Sequence, residues 1–105
     1  MNKISGVVAS SGKAKGTARI VLDQNEFENL KQGEILITNL KPDHVLVLKK
    51  SGAIVTDEGG ITSHLAKAAR ELKKPCIVNT GNGTQVFKTG DAIEVDAEKG
   101  IITKL

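Results

Sequence analysis

Two four-residue aliphatic runs, "AIVT" (53–56) and "CIVN" (76–79), constrain this chain's fold more than any other feature. Runs this short, apolar at successive positions, fit strands of a sheet covered on both faces. Between them lie the Gly59-Gly60 pair and the segment "SHLAKAARELKK". In that segment Leu65, Ala69 and Leu72 recur at i, i+4 and i+7, Lys67, Arg70 and Lys74 fall on the opposite side, and Pro75 stops the run. The pattern predicts an amphipathic helix.

The flanking segments extend this picture. "EILIT" (34–38) reads as a further strand after Gly33. "ISGVVAS" (4–10) and "TARIVL" (17–22) flank the turn-forming "SGKAKG" and are expected to pair as a hairpin. "DAIEVDAEKGIITKL" closes the chain as a second hairpin, turning near residues 98–100. "KPDHVLVLKK" predicts a helix, with Pro42 and Asp43 suited to its start, Lys49 and Lys50 to its end, and Gly52 placed as a C-terminal cap. A short helix is expected around "NEFENL" (25–30). The expected class is α/β, with residues 1–105 forming one domain.

Composition narrows the function classes. A chain of 105 residues can bury roughly two-thirds of its unfolded surface. With two Phe and no Trp or Tyr, its core must be aliphatic. The net charge of +3 comes from scattered residues and makes a poor nucleic-acid footprint, and the missing aromatics remove a base-stacking platform. The N-terminal stretch lacks the long apolar run of a signal peptide or membrane span, so the cytoplasm is the expected compartment. Cys76 is the single cysteine, which leaves neither an internal disulfide nor a zinc cluster; beside Pro75 it reads as a buried strand residue.

The chemistry-bearing stretch is "DEGGITSH" (57–64). "AIVT" delivers the chain to a turn that Gly59 and Gly60 allow to bend, and Thr62 or Ser63 can cap the helix that follows. His64 then stands in the first helical turn, beside amide N–H groups with no partner inside the helix, a place that attracts anions. An imidazole that takes up a phosphoryl group there presents its new dianion to those donors and to the hydroxyls of Thr62 and Ser63. Nucleophilic catalysis by His64 fits this arrangement. Spacing alone is better served by an ordinary strand–turn–helix connection with a solvated histidine. A metal site from Asp57, Glu58 and His64 lacks a second His or Cys at a recognisable spacing. His44 has no glycine turn before it and reads as a solvated helix residue. Arg70 lies about 9 Å along the helix from His64, placed either to meet a partner's phosphate or, more simply, to solvate the polar face. Glu58 reads as an exposed turn acid.

The stretch from Gly52 to Ile102 closely resembles the phosphohistidine, or mobile swivelling, domain of enzymes that use phosphoenolpyruvate (PEP). The resemblance rests on Gly59-Gly60, Thr62-Ser63-His64, Ala69-Arg70-Glu71, Pro75, Thr84, Gly90-Asp91 and Val95-Asp96 with Gly100. "GTARIVL", "GEILIT" and "KPDHV" extend it over the first half, and "PCIVNTGNGTQVFKTGD" is most similar to the phosphoenolpyruvate synthase (pyruvate, water dikinase) branch. Lys67 and the Lys73-Lys74 pair depart from the usual pattern.

The resemblance implies a compact β/β/α domain and a phosphotransferase of the kinase type. His64 would accept a phosphoryl group and shuttle it between an ATP-binding site and a pyruvate/PEP site. Gly59, Gly60, Thr62 and Ser63 would support the phosphate. It implies no cofactor and no metal ligand in this chain, Mg²⁺ being expected at the partner domains. Those partners are an ATP-binding domain and a PEP/pyruvate-binding barrel, in the same parent chain or as separate chains. The chain has no P-loop and is not expected to turn over alone. The alternative is a non-catalytic relative that keeps the fold for regulation or assembly.

Overall fold

The computed structural model describes residues 2–42, 44–60 and 64–105. Among the described residues eight strands form one sheet: β1 (Lys3–Ser5), β2 (Val7–Ser10), β3 (Lys13–Val21), β4 (Ile35–Thr38), β5 (Ala53–Thr56), β6 (Cys76–Val78), β7 (Ala92–Asp96) and β8 (Ile101–Lys104). Their spatial order is β1-β8-β7-β3-β4-β5-β6-β2. The strands β3 to β6 run parallel to one another, and every other pairing is antiparallel. The helices α1 (Val45–Lys50), α2 (His64–Leu72) and the single turn α3 (Gly83–Val86) lie between or after the parallel strands. A 3-10 helix (Gln24–Asn29) joins β3 to β4, opened by a capping box between Asp23 and Glu26.

The aliphatic runs behave as their pattern dictates. In β4, β5 and β6 all residues are buried, and successive side chains enter opposite cores. Leu36, Ile54, Cys76 and Val78 join Leu48, Leu65, Ala66 and Ala69 in the layer beneath α1 and α2. Ile35, Ile37, Ala53, Val55 and Ile77 join Phe87, Ile93, Val95 and Ile102 on the other side. The sheet thus curls over itself around one core and carries the helices over the other, a β/β/α arrangement. The chain is a small α/β domain of the expected class.

Two expectations are corrected. First, β2 and β3 do not form a hairpin: β2 pairs with β6, and β3 pairs with β4 and β7. The "SGKAKG" segment is mostly strand, because β3 already begins at Lys13 and uses it to pair with β7. Second, Gly52 does not cap α1. The helix ends at an extended Ser51, whose hydroxyl donates to the Leu48 carbonyl at 2.7 Å. Gly52 is required for a different reason: a Cβ there would stand 2.6 Å from the Gly33 carbonyl oxygen. The expected role of Asp43 at the start of α1 lies outside the described residues. The C-terminal hairpin and the 3-10 helix near residues 25–30 form where the sequence places them.

Candidate phosphate-accepting site

The carboxyl ends of β4, β5 and β6 open at one edge of the parallel sheet, the side on which ligands gather in α/β folds. Three loops meet there, those after β4, β5 and β6. The loop after β5 leads through Asp57, Glu58, Gly59 and Gly60 towards His64, the first residue of α2. Gly59 has φ +121°, a conformation that side chains other than glycine rarely adopt. A Cβ at Gly60 would meet nothing within 4 Å, so Gly60 stands in open space. His64, Gly59 and Gly60 are all exposed, and they line a cavity of about 450 Å³ together with Leu40, Lys41 and Pro42. Thr62 and Ser63, assigned above to capping and phosphate support, lie outside the described residues.

Below the loop is a polar network that the sequence reading did not assemble. Asp57 is nearly buried, at 9% exposure. Its Oδ1 accepts from the Thr84 backbone N–H at 3.0 Å and its Oδ2 from the Thr84 hydroxyl at 2.6 Å. Its own N–H donates to the Thr38 carbonyl at 3.0 Å, and its carbonyl accepts from Gly81 N–H at 2.8 Å. Thr80 adds a hydroxyl bond to the Thr56 carbonyl at 3.1 Å and accepts from Gly83 N–H at 3.2 Å. Asp57 therefore ties the loop ahead of His64 to the ends of β4 and β6. Thr84 was visible in the sequence as a motif residue, but only the fold shows what it touches.

The same contacts bear on the metal option. Both Asp57 oxygens are engaged by Thr84, and among the described residues no group of three or more His, Cys, Asp or Glu is placed to hold a metal ion. Other candidates sort plainly. His44 precedes α1 as an exposed residue and lines a separate cavity of about 360 Å³ beside Phe27 and Leu46. Arg70 does more than solvate the helix face, since its Nη1 donates to the Ala9 carbonyl at 2.9 Å and moors α2 to β2. Glu58 is exposed, as expected of a turn acid. Among the described residues no helix is long and apolar enough to cross a membrane.

Residues 30–100 match the family described as the PEP-utilising enzyme, mobile domain. The chain belongs to that family. It is 46% identical over 102 residues to a protein named probable phosphoenolpyruvate synthase from Staphylothermus marinus, a match that covers 94% of this chain and 12% of that protein. It is 42% identical over 102 residues to phosphoenolpyruvate synthase from Pyrococcus furiosus, covering 96% of this chain and 12% of the relative. Among solved structures, one of Enzyme I superposes with a TM-score of 0.63 at 33% identity, over 74% of this chain and 33% of that one. The mobile domain thus spans about 12% of the length of these two synthase relatives. The motif residues Gly59, Gly60, His64 and Thr84 all lie inside the matched stretch.

Proposed function

We propose that this mobile domain is a phosphoryl carrier, with His64 as the group that is transiently phosphorylated. The observation that carries the reading is the placement of His64: exposed, first in α2, and facing a cavity at the carboxyl ends of the parallel strands. A neutral imidazole attacks phosphorus through a ring nitrogen lone pair. One N–P bond forms as the P–O bond to the donor breaks, and the donor oxygen leaves with the electron pair. The second transfer reverses these roles at pyruvate: the enolate oxygen attacks, the N–P bond breaks, and PEP leaves. Such transfers depend on positioning and charge stabilisation, so a carrier needs only an accessible nucleophile and a pocket tolerant of a dianion. Gly59 and Gly60 leave room for that group, and Thr62 and Ser63 are assigned to hold it beside the helix N-terminus.

The relatives' names support phosphoenolpyruvate as the compound handled, and their length supports further domains in a shared parent chain, which on this reading bind ATP and PEP/pyruvate. Mg²⁺ belongs, on this reading, to those partners, and no step is assigned to a metal held by this domain. Residues 1–105 act as one carrier unit in the cytoplasm.

The test is the intact mass of the domain after incubation with PEP, Mg²⁺ and the PEP-binding domain of a relative. One acid-labile phosphoryl group should appear, and His64→Ala should abolish it. An unlabelled wild-type domain, with the partner shown active on another carrier, would sink the reading and favour a non-catalytic relative.

A further inference from the structure

We infer that the Asp57–Thr84 pair is a positioning clamp for phosphoryl transfer, setting the height and angle at which the Gly59-Gly60 loop presents His64. The inference rests on the carrier reading above and adds residues that make no contact with the phosphate themselves. Three observations carry it. Asp57 stands two residues ahead of Gly59, and a Cβ at Gly60 would meet nothing within 4 Å. Asp57 anchors the start of this stretch: the Thr84 N–H and hydroxyl hold its carboxylate, while Thr38 and Gly81 hold its backbone.

The second observation is the fit around the carboxylate. Gly83 lies against it so closely that a Cβ would come within 3.3 Å of Asp57 Oδ1 and 3.1 Å of Thr80 Oγ1. The glycine lets the first turn of α3 approach and point its N–H at the acid. The third is location. The clamp joins the loops after β5 and β6 at the sheet edge where His64 emerges, and a loop tie made only for stability could sit at either end of the strands. A charged, nearly buried acceptor also holds its donors in a narrower geometry than a neutral one, because charge-assisted bonds are shorter and stronger. Displacement of a nucleophile by about 1 Å can slow such a reaction by about a hundredfold.

The test compares Thr84→Val, which keeps shape and removes the hydroxyl donor, with Thr84→Ser, which restores it. Two quantities are read on each: the rate of His64 phosphorylation under single-turnover conditions, and the amide and imidazole NMR shifts of Gly59, Gly60 and His64. Melting temperature is measured alongside, so that rates are compared at equal folded fraction. The clamp predicts at least tenfold slower transfer in Thr84→Val, displaced loop resonances, and recovery of both in Thr84→Ser. Asp57→Ala should show the same pattern with a larger loss. A Thr84→Val domain that transfers at the wild-type rate, or whose loop resonances are unmoved, overturns the inference while leaving the carrier reading intact. A wild-type domain that takes no phosphoryl group at all is instead the failure of the carrier reading.

Discussion

Cys76 and His64 show how burial divides the reactive side chains of this small domain. Cys76 is fully buried in β6, and desolvation pushes its thiol up to about 12, with Arg70 only partly opposing the shift. A thiol is nucleophilic only as its thiolate, so Cys76 should behave as an inert core residue. Native protein at pH 8 is expected to give no reaction with a thiol reagent such as DTNB, and one equivalent should react once the chain is unfolded in guanidinium. Rapid labelling of the native state would show that β6 opens far more readily than its position between β5 and β2 implies. His64 is the reverse case, an exposed ring at the head of α2. Sequence reading found both residues: a cysteine between Pro75 and two aliphatics, and a histidine after Gly-Gly, are distinctive at the level of single residues. It found Asp57 only as a possible metal ligand. The partner that occupies its carboxylate, Thr84, lies 27 residues away.

Among the elements, β3 is joined to the residue just before β4 by a bidentate ion pair, beside the ladder between the two strands. Arg19 Nε and Nη2 donate to the two Glu34 oxygens at 2.9 and 3.1 Å, and the Lys31 N–H donates to Glu34 as well at 2.8 Å. The hydrogen bonds from Arg19 hold the Glu34 carboxyl below its ordinary value, against the opposing effect of burial. A carboxyl lowered on folding stabilises the native state above its ordinary range, and that stabilisation is lost as pH falls through the lowered native value. Urea midpoints should therefore show Glu34→Gln less stable than wild type near neutral pH, by about 1–2 kcal/mol. The difference should shrink towards zero in acid. An equal difference at pH 7 and pH 2 would mean that the pair contributes packing and not charge.

At the scale of the whole molecule, one residue closes the sheet. β1 pairs with β8 at one edge and β2 with β6 at the other, and only Gly6 separates them in the chain. The two edges are thereby joined, and the N-terminal segment Lys3–Ser10 acts as a clasp. At Gly6 the clasp has no space for a side chain. A Cβ on Gly6 would lie 2.6 Å from the Val78 carbonyl oxygen and 2.7 Å from Ile77 Cγ2, and one on Gly100 would lie 2.7 Å from the Gly6 oxygen. Gly6→Ala is expected to cost about 1–3 kcal/mol through forced backbone displacement. In a domain of this size that lowers Tm by roughly 5–20 °C, measurable by calorimetry. An unchanged Tm would mean that the two edges adjust independently and that the closure is loose.

What the sequence determined by itself is whatever depends on neighbours along the chain. The aliphatic runs made β4, β5 and β6, the 3.6-residue stripe with Pro75 made α2, and the tight connection near residues 98–100 made the last hairpin. The Gly59-Gly60 and His64 pattern marked the candidate site. Tertiary structure decided the pairings between distant segments. A short apolar strand pairs equally well with several others on its own pattern, so nothing local told β2 to prefer β6 over β3. The same is true of Gly52, whose reason is the approach of Gly33, and of Asp57, whose reason is Thr84. These contacts exist only once the sheet has curled and its ends have met, because each depends on a steric or hydrogen-bonding partner that folding brings from elsewhere in the chain.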